Sequence, residues 1–95
     1  MVSPDLARRA GLELPGWTIE GEELVRRWRF PDFASALAAA VRVGALAERA
    51  DHHPEMRVAW GLLEVRLTTH KVKALTGRDL DLAAAIQSAL PPPNA

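Results

Sequence analysis

Residues 56–70, "MRVAWGLLEVRLTTH", carry the pattern that decides the fold. Met56, Val58 and Trp60 alternate with Arg57 and Ala59. Leu63, Val65, Leu67 and Thr69 then alternate in the opposite phase, and Gly61 sits where the phase changes. Successive side chains of a strand point to opposite faces, so the stretch reads as two strands joined by a tight turn. Only one face of the second strand is apolar, because Glu64, Arg66, Thr68 and His70 fall on the other. Such a hairpin belongs to an antiparallel sheet covered on one side.

Working outward, residues 31–50, "PDFASALAAAVRVGALAERA", have helical spacing. Asp32 is the expected cap, Phe33, Leu37 and Val41 form one apolar line, and Ala36, Val43, Leu46 and Ala50 form a second. A helix apolar around most of its circumference is buried on two sides, and in a small domain the second side fits a subunit contact. Before it, residues 16–30, "GWTIEGEELVRRWRF", read as a hairpin turning at Gly21. At the N-terminus Ser3 caps and Pro4 opens a helix of about two turns that Gly11 should close, forming a solvated lid. Each of Trp17, Trp28 and Trp60 is expected in the core. Downstream, Thr76 and Asp79 have capping-box spacing, and Leu82, Ile86 and Leu90 line one face of a last helix. The prolines of residues 91–95, "PPPNA", stop it and begin a flexible tail. The order is short helix, two strands, helix, two strands, helix. It predicts a single domain over residues 1–95 of the α+β class, a two-layer sandwich with a four-stranded antiparallel sheet and helices on one face.

The chain has 95 residues, with 12 basic against 12 acidic, and no cysteine. Zero net charge offers no field to draw it onto nucleic acid or an anionic membrane. Disulfides and thiolate metal sites are excluded, no run approaches the roughly 20 apolar residues of a membrane span, and no signal-peptide core is seen, so the expected location is cytoplasmic.

Histidine is the notable resource. His52 and His53 are adjacent, flanked by Asp51 and Pro54, and His70 ends the second strand of the opening stretch. Glu48 precedes His52 by four residues, so if the helix continues the two share a face and the carboxylate holds the ring. Pro54 biases His53 toward extended backbone, which sends the two imidazoles in different directions. That geometry, with no His-x-x-x-His pair, disfavours a metal centre. A nucleophilic mechanism is poorer still, since Ser3, Ser35 and Ser88 are remote from the histidines in sequence. Alone, Asp79 is a helix cap and His53 a loop residue bonded to backbone. Taken as a set, these residues point to acid/base chemistry by imidazole.

Glu48, His52-His53-Pro54, Trp60, His70 and Asp79 together resemble the pterin-4a-carbinolamine dehydratases, and "GW", "FPDFASAL" and "LTGRDLDLA" align around them. The likeness covers about residues 16–90. Departures are Met56 where an aromatic is common, Trp60 where tyrosine is usual, Lys71 where an acidic or amide residue often follows the third histidine, and Ala74 where glycine often precedes the leucine. The resemblance implies a 4a-hydroxytetrahydrobiopterin dehydratase, a hydro-lyase releasing water and quinonoid dihydropterin in tetrahydrobiopterin recycling, without metal or organic cofactor. It assigns His52 and His70 as the acid/base pair and His53 as a group that binds and polarises the pterin. Glu48 would orient His52, Asp79 would fix the His70 side, Trp17 would wall the ring, and Pro54 and Thr69 would line the substrate. It further implies a homodimer or homotetramer serving an aromatic amino-acid hydroxylase, with no direct nucleic-acid or membrane partner. The alternative it carries is a non-catalytic interaction or assembly protein, such as a dimerisation cofactor in transcription.

Overall fold

A computed structural model describes residues 2–90; the expected tail at 91–95 lies outside them. Seven elements follow in the expected order: α1 (Pro4–Glu13), β1 (Thr18–Glu20), β2 (Glu23–Arg29), α2 (Phe33–Ala50), β3 (Glu55–Ala59), β4 (Leu62–Leu67) and α3 (Gly77–Ala89). The strands form one antiparallel sheet in the order β1-β2-β4-β3.

Alternation sorts the sheet's two faces. Leu24 and Trp28 of β2 stand opposite Leu67 and Leu63 of β4, and these side chains, with Val65, are buried in the common core with α2 and α3. The outer face holds Glu20, Glu23, Arg27, Glu64 and Arg66, joined in ion pairs of 2.7–3.3 Å. The two guanidinium groups hold the Glu64 carboxyl below the usual carboxylate range, Arg66 more than Arg27. The β3–β4 turn depends on Gly61: its φ is +68°, and a Cβ there would lie 2.9 Å from the Phe30 carbonyl oxygen. That approach lets Gly61 accept the Phe30 N–H at 2.9 Å, tying the start of α2 to the hairpin.

The caps are where the sequence placed them. Ser3 Oγ accepts from Leu6 N–H, Asp32 from Ser35 N–H at 2.7 Å, and Thr76 and Asp79 make a complete capping box. Two expectations about α1 need correction. Gly11 does not end the helix, which runs on until Leu14 returns its N–H to Ala10 at 2.9 Å. Nor is α1 only a lid: Ala10 and Leu14 are buried in the core, and an Arg9–Asp81 ion pair of 2.7 Å links α1 to α3. Burying Leu14 supplies what Gly11 withholds in helix propensity.

Arg26 also faces inward, 4% exposed, with its guanidinium 4.7 Å from the Trp28 ring centre. It donates to Pro15 O and Gln87 Oε1, and burial pulls its pKa below the ordinary value. Gly16, at φ +90°, makes room, since a Cβ there would come within 3.0 Å of Arg26 Cζ.

Within the single chain α2 is buried on one side, and the side expected to meet a second subunit is exposed. Ala36, Ala39, Ala40, Val43 and Ala47 are buried, whereas Phe33, Leu37 and Val41 form an exposed apolar stripe. No helix among the described residues is long and apolar enough to cross a membrane.

Candidate active site

The site begins where α2 stops. Asp51 takes a left-handed conformation (φ 50°), and His52 N–H reaches back to Ala47 O at 3.1 Å, the six-residue closure that ends many helices. This reversal breaks the helical relation on which the expected Glu48–His52 pair relied, and it swings His52 inward. The His52 ring is 8% exposed, with Nε2 2.5 Å from Oδ1 of Asp79, a carboxylate with no exposure at all. Asp79 is thus the partner of His52, from 27 residues away, rather than a support confined to the His70 side.

The other Asp79 oxygen accepts from Thr69 Oγ1 and from Thr76 N–H, both at 2.9 Å. Thr69 has one hydroxyl proton and gives it to Asp79, so in the 2.6 Å contact between the two threonines Thr76 is the donor. The hydroxyl of Thr69 therefore serves this buried node. Thr76 is the member sequence reading did not count as a site residue, although its capping-box spacing was its signal.

Glu48 pairs instead with His53, Oε1 to Nε2 at 2.5 Å, with side chains 78% and 57% exposed. Pro54, half-buried, follows and leads into β3. His70 is exposed, but it does not end β4, which stops at Leu67. It opens a loop closed by a bridge between Thr69 and Ala74, with Val72 N–H on Thr69 O at 3.1 Å and Lys73 N–H on His70 O at 3.2 Å. The left-handed turn at Lys73 (φ 52°) completes that loop.

Register brings these segments together. Glu55 of β3 pairs with Arg66 of β4, so the chain before Glu55 and the chain after Leu67 leave the sheet at the same end. Asp79 then bonds one residue from each segment, His52 and Thr69, so that His53 and His70, next to them in sequence, flank one carboxylate-centred node. Trp17 is not part of it: it is buried and packs edge-on against Trp28 at 5.6 Å between ring centres, so it offers no open wall. Trp60, expected inside, is 75% exposed at the tip of the β3–β4 turn. Among the described residues no three His, Asp or Glu side chains gather as a metal site.

The sequence model of the pterin 4 alpha carbinolamine dehydratases matches residues 2–89. The chain belongs to that family. Two bacterial relatives bear the name "Putative pterin-4-alpha-carbinolamine dehydratase". That of Roseiflexus castenholzii is 43% identical over 86% of this chain and 87% of its own, and that of Prochlorococcus marinus is 46% identical over 78% and 77%. The fold matches the crystal structure of a transcriptional coactivator/pterin dehydratase from Brucella melitensis, with a TM-score of 0.82 and 29% identity over 92% of this chain and 95% of that one. It also matches a pterin dehydratase-like protein identified as a RuBisCO assembly factor in the alpha-carboxysome. That likeness has a TM-score of 0.65 at 19% identity over 80% and 90% of the two chains, and it concerns the fold alone.

Proposed function

We propose that this chain dehydrates a 4a-hydroxytetrahydropterin by imidazole acid/base catalysis. The observation that carries the reading is the buried Asp79, which bonds both His52 and Thr69, the residue next to His70. A ring held by a buried carboxylate has one orientation, and orientation is what proton transfer at a fixed distance requires. One imidazolium protonates the C4a hydroxyl, which leaves as water; a neutral imidazole takes the N5 proton, and quinonoid dihydropterin results. Protons and charge balance without a metal or cofactor. We assign the two transfers to His52 and His70, and contact with the pterin ring to His53, exposed beside Pro54. Glu48 positions His53 rather than His52.

The exposed stripe of Phe33, Leu37 and Val41 supports self-association, because removing it from water gains about 25 cal/mol per Å² of apolar area. The same stripe favours a second reading, in which the chain acts as an interaction protein. The test is a dehydration assay with chemically generated 4a-hydroxytetrahydropterin. Formation of the quinonoid product well above the uncatalysed rate, unchanged by EDTA, is expected. A folded protein that leaves the rate at its uncatalysed value would sink the enzymatic reading in favour of the second. Sedimentation should find a dimer or tetramer, and Val41→Asp should shift it toward the monomer; a wild-type monomer at micromolar concentration contradicts self-association.

A further inference from the structure

The last turns of α2 run beside the first turns of α3, and between them lies a cleft of about 370 Å³, within the range that small ligands occupy. His53 and His70 do not line it. Leu46, Ala50, Leu82 and Ala85 give it apolar walls, and Arg49 and Arg78 stand with them. Arg78 Nη2 donates to Asp51 O at 2.8 Å, which leaves most of its five donors available. Among the described residues no hydrogen bond or ion pair engages Arg49. The acidic lining residue, Asp81, has Oδ1 2.7 Å from Arg9, so its charge already has a partner. The α2 carbonyls of Ala47 and Glu48 at this end already accept from Asp51 and His52 N–H. The lining therefore has two cations not neutralised by a carboxylate next to an apolar wall.

We propose that this cleft binds a small carboxylate with an apolar body, the carboxylate taken by Arg49 and Arg78 and the body lying on Leu46 and Leu82. Guanidinium matches a carboxylate in planar, two-bond geometry, and the apolar walls select against a bare inorganic anion. His52 also lines the cleft while its Nε2 is turned to Asp79, so an occupant touches a ring that the buried node holds. The cleft shares His52 with the proposed acid/base site but neither His53 nor His70, and its occupancy does not depend on the dehydratase reading.

The test is an NMR titration of the full chain with phenylacetate, its neutral isostere phenylacetamide, and inorganic phosphate. Phenylacetate should shift the methyl signals of Leu46, Leu82 and Ala85 and the ring signals of His52 in a saturable way. Phenylacetamide should bind roughly tenfold more weakly, and phosphate should leave the methyls unmoved. Arg49→Gln should weaken phenylacetate by about tenfold with an unchanged melting curve, and Arg78→Gln provides an independent second variant. Equal binding of acid and amide would overturn the proposal. So would phosphate acting like phenylacetate, shifts confined to His53 and His70, or no saturation at tens of millimolar.

Discussion

His52 with Asp79 and His53 with Glu48 are the same chemical pair at the same 2.5 Å separation, carried by adjacent residues of one turn. Their surroundings differ. The first pair is 8% and 0% exposed and shares its carboxylate with Thr69 and Thr76; the second is 57% and 78% exposed and has no further member among the described residues. In water an ion pair competes with solvent and salt and contributes little, whereas a buried carboxylate stripped of its partners is costly. The buried carboxylate therefore fixes the orientation of the His52 ring, whereas the exposed partner of His53 constrains its ring little. The left-handed Asp51 sends one of the adjacent imidazoles in and leaves the other out.

The comparison can be broken most directly at Asp79. Asp79→Ala should strip His52, the Thr69 hydroxyl and the Thr76 N–H of their acceptor at a cost of about 3–5 kcal/mol, a large part of the stability of a small domain. Thermal unfolding should register a fall of roughly 15 °C or more, and a fall of only a few degrees would mean the node is not holding the two segments. Thr69→Val keeps the shape and removes one hydroxyl, so about 1–2 kcal/mol should be lost in a urea titration. A loss as large as that of Asp79→Ala would shift the centre of the node to the threonine. Glu48→Gln should move Tm by less than about 2 °C. A double-mutant cycle sharpens the contrast: coupling between His52 and Asp79 should exceed about 1.5 kcal/mol, and that between Glu48 and His53 should stay below about 0.5 kcal/mol. Comparable couplings would erase the distinction.

Helix starts and hairpin turns were legible because each has local chemistry: Ser3 before Pro4, Asp32 before an apolar helix, Thr76 three residues before Asp79, and Gly21 and Gly61 at the hairpin turns; the ends of α1 and β4 were not. The histidines were legible as a set through spacing. Their partners were not. Four-residue spacing from Glu48 to His52 implies a shared face only while the helix lasts, and nothing local to Asp51 announces a left-handed cap. The contact from His52 to Asp79 crosses from the end of α2 to the start of α3, a tertiary relation that no short-range pattern encodes. The tryptophans show the same limit. Trp17 and Trp60 both sit at strand ends beside a turn, but Trp17 meets Trp28 and is covered, whereas Trp60 lies at the hairpin tip and is not.

The central claim is that the buried His52 and the rim His70 carry protons while His53 binds. Steady-state kinetics of His52→Gln, His53→Gln, His70→Gln and the His52/His70 double variant on 4a-hydroxytetrahydropterin test it most directly. Glutamine at position 52 still offers Asp79 an N–H but cannot transfer a proton, and far-UV spectra must match the wild type. The account expects His52→Gln and His70→Gln each to lower kcat by about 10²-fold while retaining turnover, the double variant to be nearly inactive, and His53→Gln chiefly to raise KM. Loss of kcat in His53→Gln alone, with the other two single variants near wild type, would contradict it.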